Sequence, residues 1–547
     1  MTHPSQKDPL NQFGKLRFLI VDDFENFRLS MRQMLRSYGA NKIEVTGNAT
    51  TAIKYCTYNH VDVVLCDLNL GEGKNGQHVI EELRHKKLLK RSSLFLMVTA
   101  ETSKEMVMGA REHQPDAYLT KPINRAMLEK RLGSLINQRN TLLPITKEID
   151  KENYPEAISQ CLQALPKQPR YKTWLMKTLG ELYYIVGDMA HAQKIYDDVL
   201  SQRQLSWANL GRCKVLLANH NFEQAVAELK ALISRHPDYI EAYDLLAEAL
   251  EKQGRTVPAQ KVVESATKRS PNALLRQKHL AELAGVNQDI ATASHAWRQT
   301  VSLGTYSIHD SADHYLCLAR SLSDLCEGNQ EESGSQQAEE ALAVLTKMER
   351  RFPDDEFLSL KSRIVQSRLY SGQQRQRESD QILASIESDI EAIEDLPAEI
   401  TLDYAKTLFR VGRGQEAKAL LTQLATEHND DTDILQKIEN LLDEPVGFRQ
   451  KLEARSLNRD GINAFENDNL EMAVSAFEKA LAIVPDHAAL NLNLIQVLIK
   501  QYEQQPDNPS LIKTCQQRLR RLKHLPEQHR QYRRYQMINQ KIQGLSE

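Results

Sequence analysis

The sequence of 547 residues is short of several features that would assign it quickly: a long apolar run, a cysteine framework and a strong excess of one charge. No apolar stretch approaches the ~20 residues a bilayer-spanning helix needs, which excludes membrane insertion by that route. Seven cysteines occur, none in C-x-x-C spacing, so neither a disulfide framework nor a zinc cage is indicated. That pattern suits a reducing compartment, and a cytoplasmic protein is expected. A net charge of -3 excludes a globally basic nucleic-acid binder, although local basic patches remain open. The opening "MTHPSQKDPLNQFGK" lacks the apolar core of a secretory signal, and residues 1–14 read as a short disordered tail. The length admits three or four average domains, or one domain followed by a long repeat array.

Two grammars divide the chain. Up to about residue 125, the apolar runs "LRFLIVDD", "KIEVTG", "VDVVLCD", "SLFLMVTA" and "DAYLTKP" read as five strands. Between them "NFRLSMRQMLRSYG", "TTAIKYCTYN", "GQHVIEELRHKK" and "SKEMVMGAREHQ" carry apolar residues at helical spacing, and a fifth helix is expected from Asn124 past Leu135. Strand–helix alternation of this kind predicts an α/β doubly wound, five-stranded parallel sheet.

From about Leu142 the strand signal stops and a repeat begins. Ala157, Ala192, Ala225, Ala259 and Ala293 fall 35, 33, 34 and 34 residues apart. Four residues after each stands a larger side chain: Cys161, Tyr196, Leu229, Val263 and Trp297. Twelve residues before the last four alanines lie the small residues Gly180, Cys213, Ala247 and Ala281, which let paired helices approach closely. Pro169, Pro237 and Pro271 stand where the second helix of a unit should stop. A period near 34 with paired helices is the tetratricopeptide signature. The register blurs after residue 304, where "CEGNQEESGSQQ" (326–337) reads as an inserted polar loop. It returns at Tyr404, Ala405, Gly412, Ala417 and Leu421, and again at Gly461, Ala473, Phe477, Ala480 and Pro485.

The chemistry gathers at strand ends. The third predicted strand ends in Asp67, the first in Asp22-Asp23, the fourth in Thr99, and the fifth runs into Lys121-Pro122. Singly, each has a plain alternative: Asp67 a loop cap, Asp22 a helix cap, Thr99 an ordinary strand residue, Lys121 a surface charge. In a parallel sheet, however, all these ends share one edge, outside which ligands bind. Three carboxylates brought together repel unless a cation separates them. Oxygen donors with room for water suit Mg²⁺. The ammonium and hydroxyl are then placed to hold the oxygens of a phosphoryl group arriving on Asp67, a transfer to a carboxylate driven by positioning and charge.

Residues 16 to about 138 resemble the receiver domain of two-component response regulators, through "VDD", "LCDLNL", "VTA" and "YLTKP" in that order. The resemblance implies a flavodoxin-like fold in which Asp67 is the phosphoacceptor. It further implies that Asp23, the Asp67 carboxylate and the main-chain carbonyl of Asn69 bind Mg²⁺, with Asp22 helping through water. Lys121 would pair with the phosphoryl oxygens, and Thr99 and Tyr118 would form the switch pair. Pro122 matches the family's proline after the lysine, often preceded by a cis bond. One departure concerns "LNLGEGKNG", which lacks the family's usual proline and is one residue longer, with Gly71 and Gly73 inside it.

The chain over most of 145–545 resembles tetratricopeptide proteins, whose superhelices bind peptides or proteins on a concave face. The expected domains are a receiver over 15–138, repeats over 139–305, irregular helical repeats with a polar insertion over 306–400, and repeats with basic capping helices over 401–547. The segment "KTCQQRLRRLKHLPEQHRQYRRYQMINQK" carries nine Lys or Arg against one Glu. It reads as a solvated capping helix or as a docking surface for an acidic partner, with Tyr532 and Tyr535 too few for a base-stacking platform. The functional expectation is a non-enzymatic adaptor, phosphorylated on Asp67 by a histidine kinase or phosphotransfer protein and binding a protein or peptide through its repeats. A nucleic-acid-binding regulator using the basic C-terminus is the alternative. Pro144 is expected to break or bend the helix joining the two halves.

Overall fold

A computed structural model describes residues 13–100, 115–329, 331–393, 396–443, 448–504, 508–522, 525 and 531–546. The helix expected over 103–114 and residues 1–12 of the expected tail lie outside the described residues. The chain divides near His314 into two compact units.

The first unit opens with the sheet. Strands β1 (Arg17–Val21), β2 (Lys42–Thr46), β3 (Val63–Asp67), β4 (Leu94–Thr99) and β5 (Ala117–Thr120) are all parallel, in the order β2-β1-β3-β4-β5. Helices α1 (Glu25–Ser37), α2 (Ala49–Tyr58) and α3 (Gly76–His85) connect the first four. Every residue of β3 and β4 is buried, as two-sided coverage requires. Side-chain alternation sorts the core into two layers. Phe18, Ile20, Val63, Leu65, Leu96 and Val98 face one side, and Leu19, Val21, Val64, Cys66, Phe95 and Met97 face the other. The first layer also takes in Phe13, which is buried and lies against Phe18 and Tyr38. The expected tail is therefore shorter at its inner end, because Phe13 has apolar surface to bury.

Helix α4 (Arg125–Asp150) corrects one expectation. It runs unbroken through Pro144, and the boundary drawn at residue 138 falls inside it. A mid-helix proline forfeits one hydrogen bond and costs about 3 kcal/mol. Burial on both sides of Pro144 offsets this. Leu128, Leu132 and Ile136 close the underside of the sheet, whereas Leu142 and Ile145 join Ala157, Cys161, Leu175 and Leu179 in the first repeat core. The middle is pinned as well: Arg139 donates to Asp62 Oδ1 at 2.5 Å and to the Ser92 carbonyl at 2.6 Å. One helix is thus the last of the sheet domain and the first of the repeats.

Beyond α4 the paired helices are Tyr154–Ala164; Lys172–Ile185 with Met189–Gln202; Ser206–Ala218 with Phe222–Arg235; Ile240–Lys252 with Thr256–Arg269; and Leu274–Val286 with Ile290–Gly304. The five periodic alanines are at most 1% exposed. The small residues do make room for rings. A Cβ at Gly180 would lie 2.6 Å from the Tyr196 ring, and one at Gly211 only 2.3 Å from it, so this ring is gripped by the helices before and after its own.

The second unit is helical among its described residues, with helices of 12 to 20 residues. Helix Glu332–Arg351 already begins inside the polar insertion expected at 326–337, so its second half is helix and not loop. The reason is local packing: a Cβ at Gly334 would lie 2.1 Å from the Asn329 carbonyl oxygen, and Ala338 is buried. An ion network fills the interior here. Asp403 accepts from Arg320 at 2.7 Å and from Arg368 at 2.6 Å, while Asp324 accepts from Arg410 at 2.6 Å and sits 3.4 Å from Lys406. Further on, the Gly461 position lies against the Phe477 ring, 2.7 Å from where a Cβ would stand, repeating the Gly180 device.

Candidate functional site

The parallel register brings the predicted residues to one edge. Val21 pairs with Cys66, Asp67 with Val98, and Thr99 with Thr120, so Asp22, Asp67, Thr99 and Lys121 all emerge at the carboxyl ends of neighbouring strands. Carboxylate oxygens of Asp22, Asp23 and Asp67 lie within 4.8 Å of one another. Asp22 and Asp67 are buried and Asp23 is exposed. Lys121 Nζ donates to Asp67 Oδ2 at 2.6 Å and to Asp22 Oδ2 at 2.7 Å. Asp22 also does the plainer work considered for it, since its Oδ1 accepts from the Phe24 amide at 2.9 Å as α1 begins.

A cavity of about 590 Å³ opens over this edge, lined by Asp23, Asn26, Phe27, Asp67, Asn69, Thr99 and Lys121 among others. The Asn69 amide lies 3.4 Å from Asp67 Oδ1. Tyr118 is half-buried on the α2–α3 side of the sheet. The Lys121–Pro122 bond is cis. Gly71 and Gly73 both take left-handed backbone angles, φ +80° and +99°, which the extended loop after β3 requires.

The electrostatics follow from burial. Burial pushes the Asp67 carboxyl above the usual carboxylate range and Asp22 adds to the rise, with the Lys121 hydrogen bond and charge opposing it. Burial alone would depress the Lys121 ammonium, but its bonds to Asp22 and Asp67 outweigh that and hold it above its ordinary value. Three carboxylates against the one ammonium that bonds two of them leave two negative charges, gathered on oxygen alone. Such a set fits a hard divalent cation.

Three neighbours were not singled out by sequence reasoning. Arg28 donates to the main-chain carbonyls of Asp22 and Asp23 at 2.6 and 2.9 Å, fixing the turn that presents both acids. The Phe27 ring centroid lies 4.2 Å from Lys121 Nζ. Gly76 starts α3 against the phosphoacceptor candidate's own backbone, where a Cβ would stand 2.2 Å from the Asp67 carbonyl oxygen. The glycine is visible in "GEGKNG", but only the fold shows what it touches.

At the other end of the chain, the expected basic surface is partly spoken for. Tyr532 and Tyr535 pack against the apolar core of the last helices, and Arg534 donates to Asn493 and Gln496 at 2.7 and 2.6 Å. Among the described residues no helix is long and apolar enough to cross a membrane. The cysteines are free, and all but Cys317 are buried.

Residues 18–133 match the family model of the response regulator receiver domain, and residues 216–281 match a tetratricopeptide repeat model. The receiver part is 28% identical over 123 residues to chemotaxis protein CheY-3 of Vibrio cholerae serotype O1, covering 22% of this chain and 93% of that protein. Among solved structures, a CheY-like receiver domain protein from Methanospirillum hungatei is 23% identical, covering 23% of this chain and 96% of its own, with a TM-score of 0.21. The C-terminal part of a repeat protein from Cytophaga hutchinsonii covers 54% of this chain and 98% of its own at 13% identity, with a TM-score of 0.33. This chain carries a response regulator receiver domain followed by tetratricopeptide repeats.

Proposed function

We propose that the protein is a phosphorylation-switched adaptor of a two-component relay, with Asp67 accepting a phosphoryl group and the repeats binding a protein or peptide. The donor is a phosphohistidine on a histidine kinase or phosphotransfer protein. An Asp67 oxygen attacks phosphorus in line, forming an O–P bond while the P–N bond breaks and its electron pair returns to the imidazole. The observation that supports this most is Lys121 on Asp67 Oδ2 at 2.6 Å, beside an acidic trio open to a cavity.

Within that reading the roles divide. Asp67 is the nucleophile, and its partial burial keeps water from competing for its lone pairs. Lys121 holds the carboxylate before transfer and the phosphoryl oxygens after it. Asp22, Asp23, Asp67 and the Asn69 carbonyl would hold Mg²⁺, which when bound would supply charge neutralisation for the phosphoryl oxygens. Thr99, buried at the end of β4 in the same cavity wall, supplies a hydroxyl to the new group, and Tyr118 on β5 answers its movement. The output is binding rather than a second reaction, and the chain works in the cytoplasm.

Intact-mass measurement after incubation with acetyl phosphate and Mg²⁺ tests the assignment. One acid-labile phosphoryl group is expected on the wild type and none on Asp67→Ala. Equal labelling of that variant, or equal labelling without a divalent ion, would overturn it.

A further inference from the structure

The first unit contains a further contact between receiver and repeats, far along the chain from the helix they share. After five helix pairs counted from α4, the segment between helices Ile290–Gly304 and Ala312–Cys326 returns to α3. There Ser307 Oγ donates to Glu81 Oε2 at 2.9 Å, and His309 Nε2 stands 3.9 Å from Glu81 Oε1. The His309 ring meets His85 edge-on at 5.1 Å, and Tyr306 meets His78 edge-on at 6.3 Å. His78, Glu81 and His85 are spaced i, i+3, i+7 and so form one stripe of α3. Val79, Ile80 and Leu83 on its other side are buried on the sheet.

That stripe belongs to the element most directly joined to Asp67. Gly76 begins α3 in backbone contact with Asp67 and donates to the Leu68 carbonyl at 2.9 Å. Lys74, in the loop between them, is ion-paired to Glu82 of α3, which also holds Lys86 at 2.5 Å. The loop and helix are therefore tied together, and no slack separates a displacement at Asp67 from the stripe that touches the repeats.

We propose that Tyr306, Ser307 and His309 on α3 form an intramolecular latch, closed while Asp67 is unmodified and opened by its phosphorylation. The closed latch joins both ends of the first repeat block to the receiver. Opening it releases the far end of that block, which stays attached near α4, where Arg91 also pairs with Glu181 at 3.0 Å, and lets it rearrange to admit a partner. The direction follows from the state described: the latch is formed with Lys121 bonded to the unmodified Asp67 carboxylate. A phosphoryl group there competes for Lys121 and displaces the loop that carries α3. The proposal rests on Asp67 being the phosphoacceptor.

Amide hydrogen exchange of the full-length protein, with and without acetyl phosphate and Mg²⁺, tests it beside intact mass on the same samples. Phosphorylation should speed exchange over residues 304–312 by at least ~5-fold, the lower end of typical couplings. Ser307→Asp, which sets a carboxylate against Glu81 in a half-exposed loop, should give the fast exchange without phosphorylation. Adding Glu81→Arg to that variant should restore slow exchange by re-forming an ion pair. A full phosphoryl mass shift with unchanged exchange at 304–312 would overturn the latch and leave the phosphoacceptor reading standing. No mass shift would overturn both. Slow exchange in Ser307→Asp would show that the Ser307–Glu81 contact does not hold the segment, and would overturn the latch alone.

Discussion

Replacing Gly76 by alanine isolates the joint between the phosphoacceptor strand and α3. The new Cβ would stand 2.2 Å from the Asp67 carbonyl oxygen and 3.1 Å from Leu68 Cα. Ordinary contact begins near 3.4 Å, so strand end and helix start must part by about 1.2 Å. Both neighbours are backbone, so no side chain can rotate to absorb the overlap. Overpacking of this sort costs ~1–3 kcal/mol, less than the ~5–15 kcal/mol stability of an ordinary domain. The receiver should remain folded. A displacement of ~1 Å at a reacting group nevertheless costs on the order of 10²-fold in rate. The expected result is an unchanged far-ultraviolet circular dichroism spectrum with phosphorylation by acetyl phosphate slowed by that order, followed by intact mass. Wild-type labelling kinetics in a folded Gly76→Ala protein would refute the claim that this close approach positions Asp67.

Other expectations reach further along the chain. Thr99→Ala should still accept phosphate but lose the phosphorylation-dependent change in partner capture; a wild-type response in a pull-down removes the hydroxyl from the switch. Asp403→Ala should destabilise the second unit by ~3–5 kcal/mol, because it strands the buried Arg368 guanidinium; unaltered amide exchange over 358–410 would contradict that. Burial alone would raise the Asp403 carboxyl, but Arg368 and Arg320 hold it down to about 2 from an ordinary 3.8, so its contribution is complete above pH 3.8 and fades as pH falls toward 2. An acid unfolding profile unchanged by Asp403→Ala would show the pairing contributes nothing. Gly211→Ala should cost ~1–3 kcal/mol through the Tyr196 ring, and a Tyr196→Leu change in the same chain should relieve it; equal penalties with either side chain would discount the clash. A flexible Gly/Ser insertion after Gln138 should leave phosphorylation intact and preserve most of its effect on partner affinity, in the ~5- to 150-fold range, because the α3 contact lies outside α4; loss of that effect would put the switch in α4 and not in the latch.

What the sequence disclosed tracks how local the governing interaction is. The five strands, their parallel order and the acid, hydroxyl and amine at their ends follow from alternation and from a sheet's shared edge. The small residues of the repeats were legible because Gly180, Cys213, Ala247 and Ala281 recur at a fixed distance from the periodic alanines. Pro144 misled because a local rule met burial of Leu128, Leu132 and Ile136 in one core and of Leu142 and Ile145 in another, which leaves no trace in a short window. The polar run at 326–337 misled for a similar reason: Gly334 looks like a loop residue until Asn329 is seen packed against it. Arg28, Gly76 and the stripe of His78, Glu81 and His85 act through contacts whose partners are defined only by the fold, the last of them 226 residues apart.

Two of the links between receiver and repeats, helix α4 and the α3 contact, differ in strength, and that difference decides what each can do. Phosphorylation shifts a conformational balance only by its differential stabilisation of one state, typically ~1–3 kcal/mol. Helix α4 is held by fully buried Leu128, Leu132 and Ile136 on one side and by Leu142 and Ile145 on the other, each worth ~1.5–3 kcal/mol of burial. Together these exceed what a phosphoryl group supplies several-fold, so α4 stays seated in both states and can serve as a pivot. The α3 contact depends on one hydrogen bond to a carboxylate, worth ~1.5–3 kcal/mol, plus ring edges and a longer His309–Glu81 approach. That is the same size as the driving energy. A switch must break a link whose strength it can match and spare the one it cannot; the α3 latch meets the first condition and α4 the second.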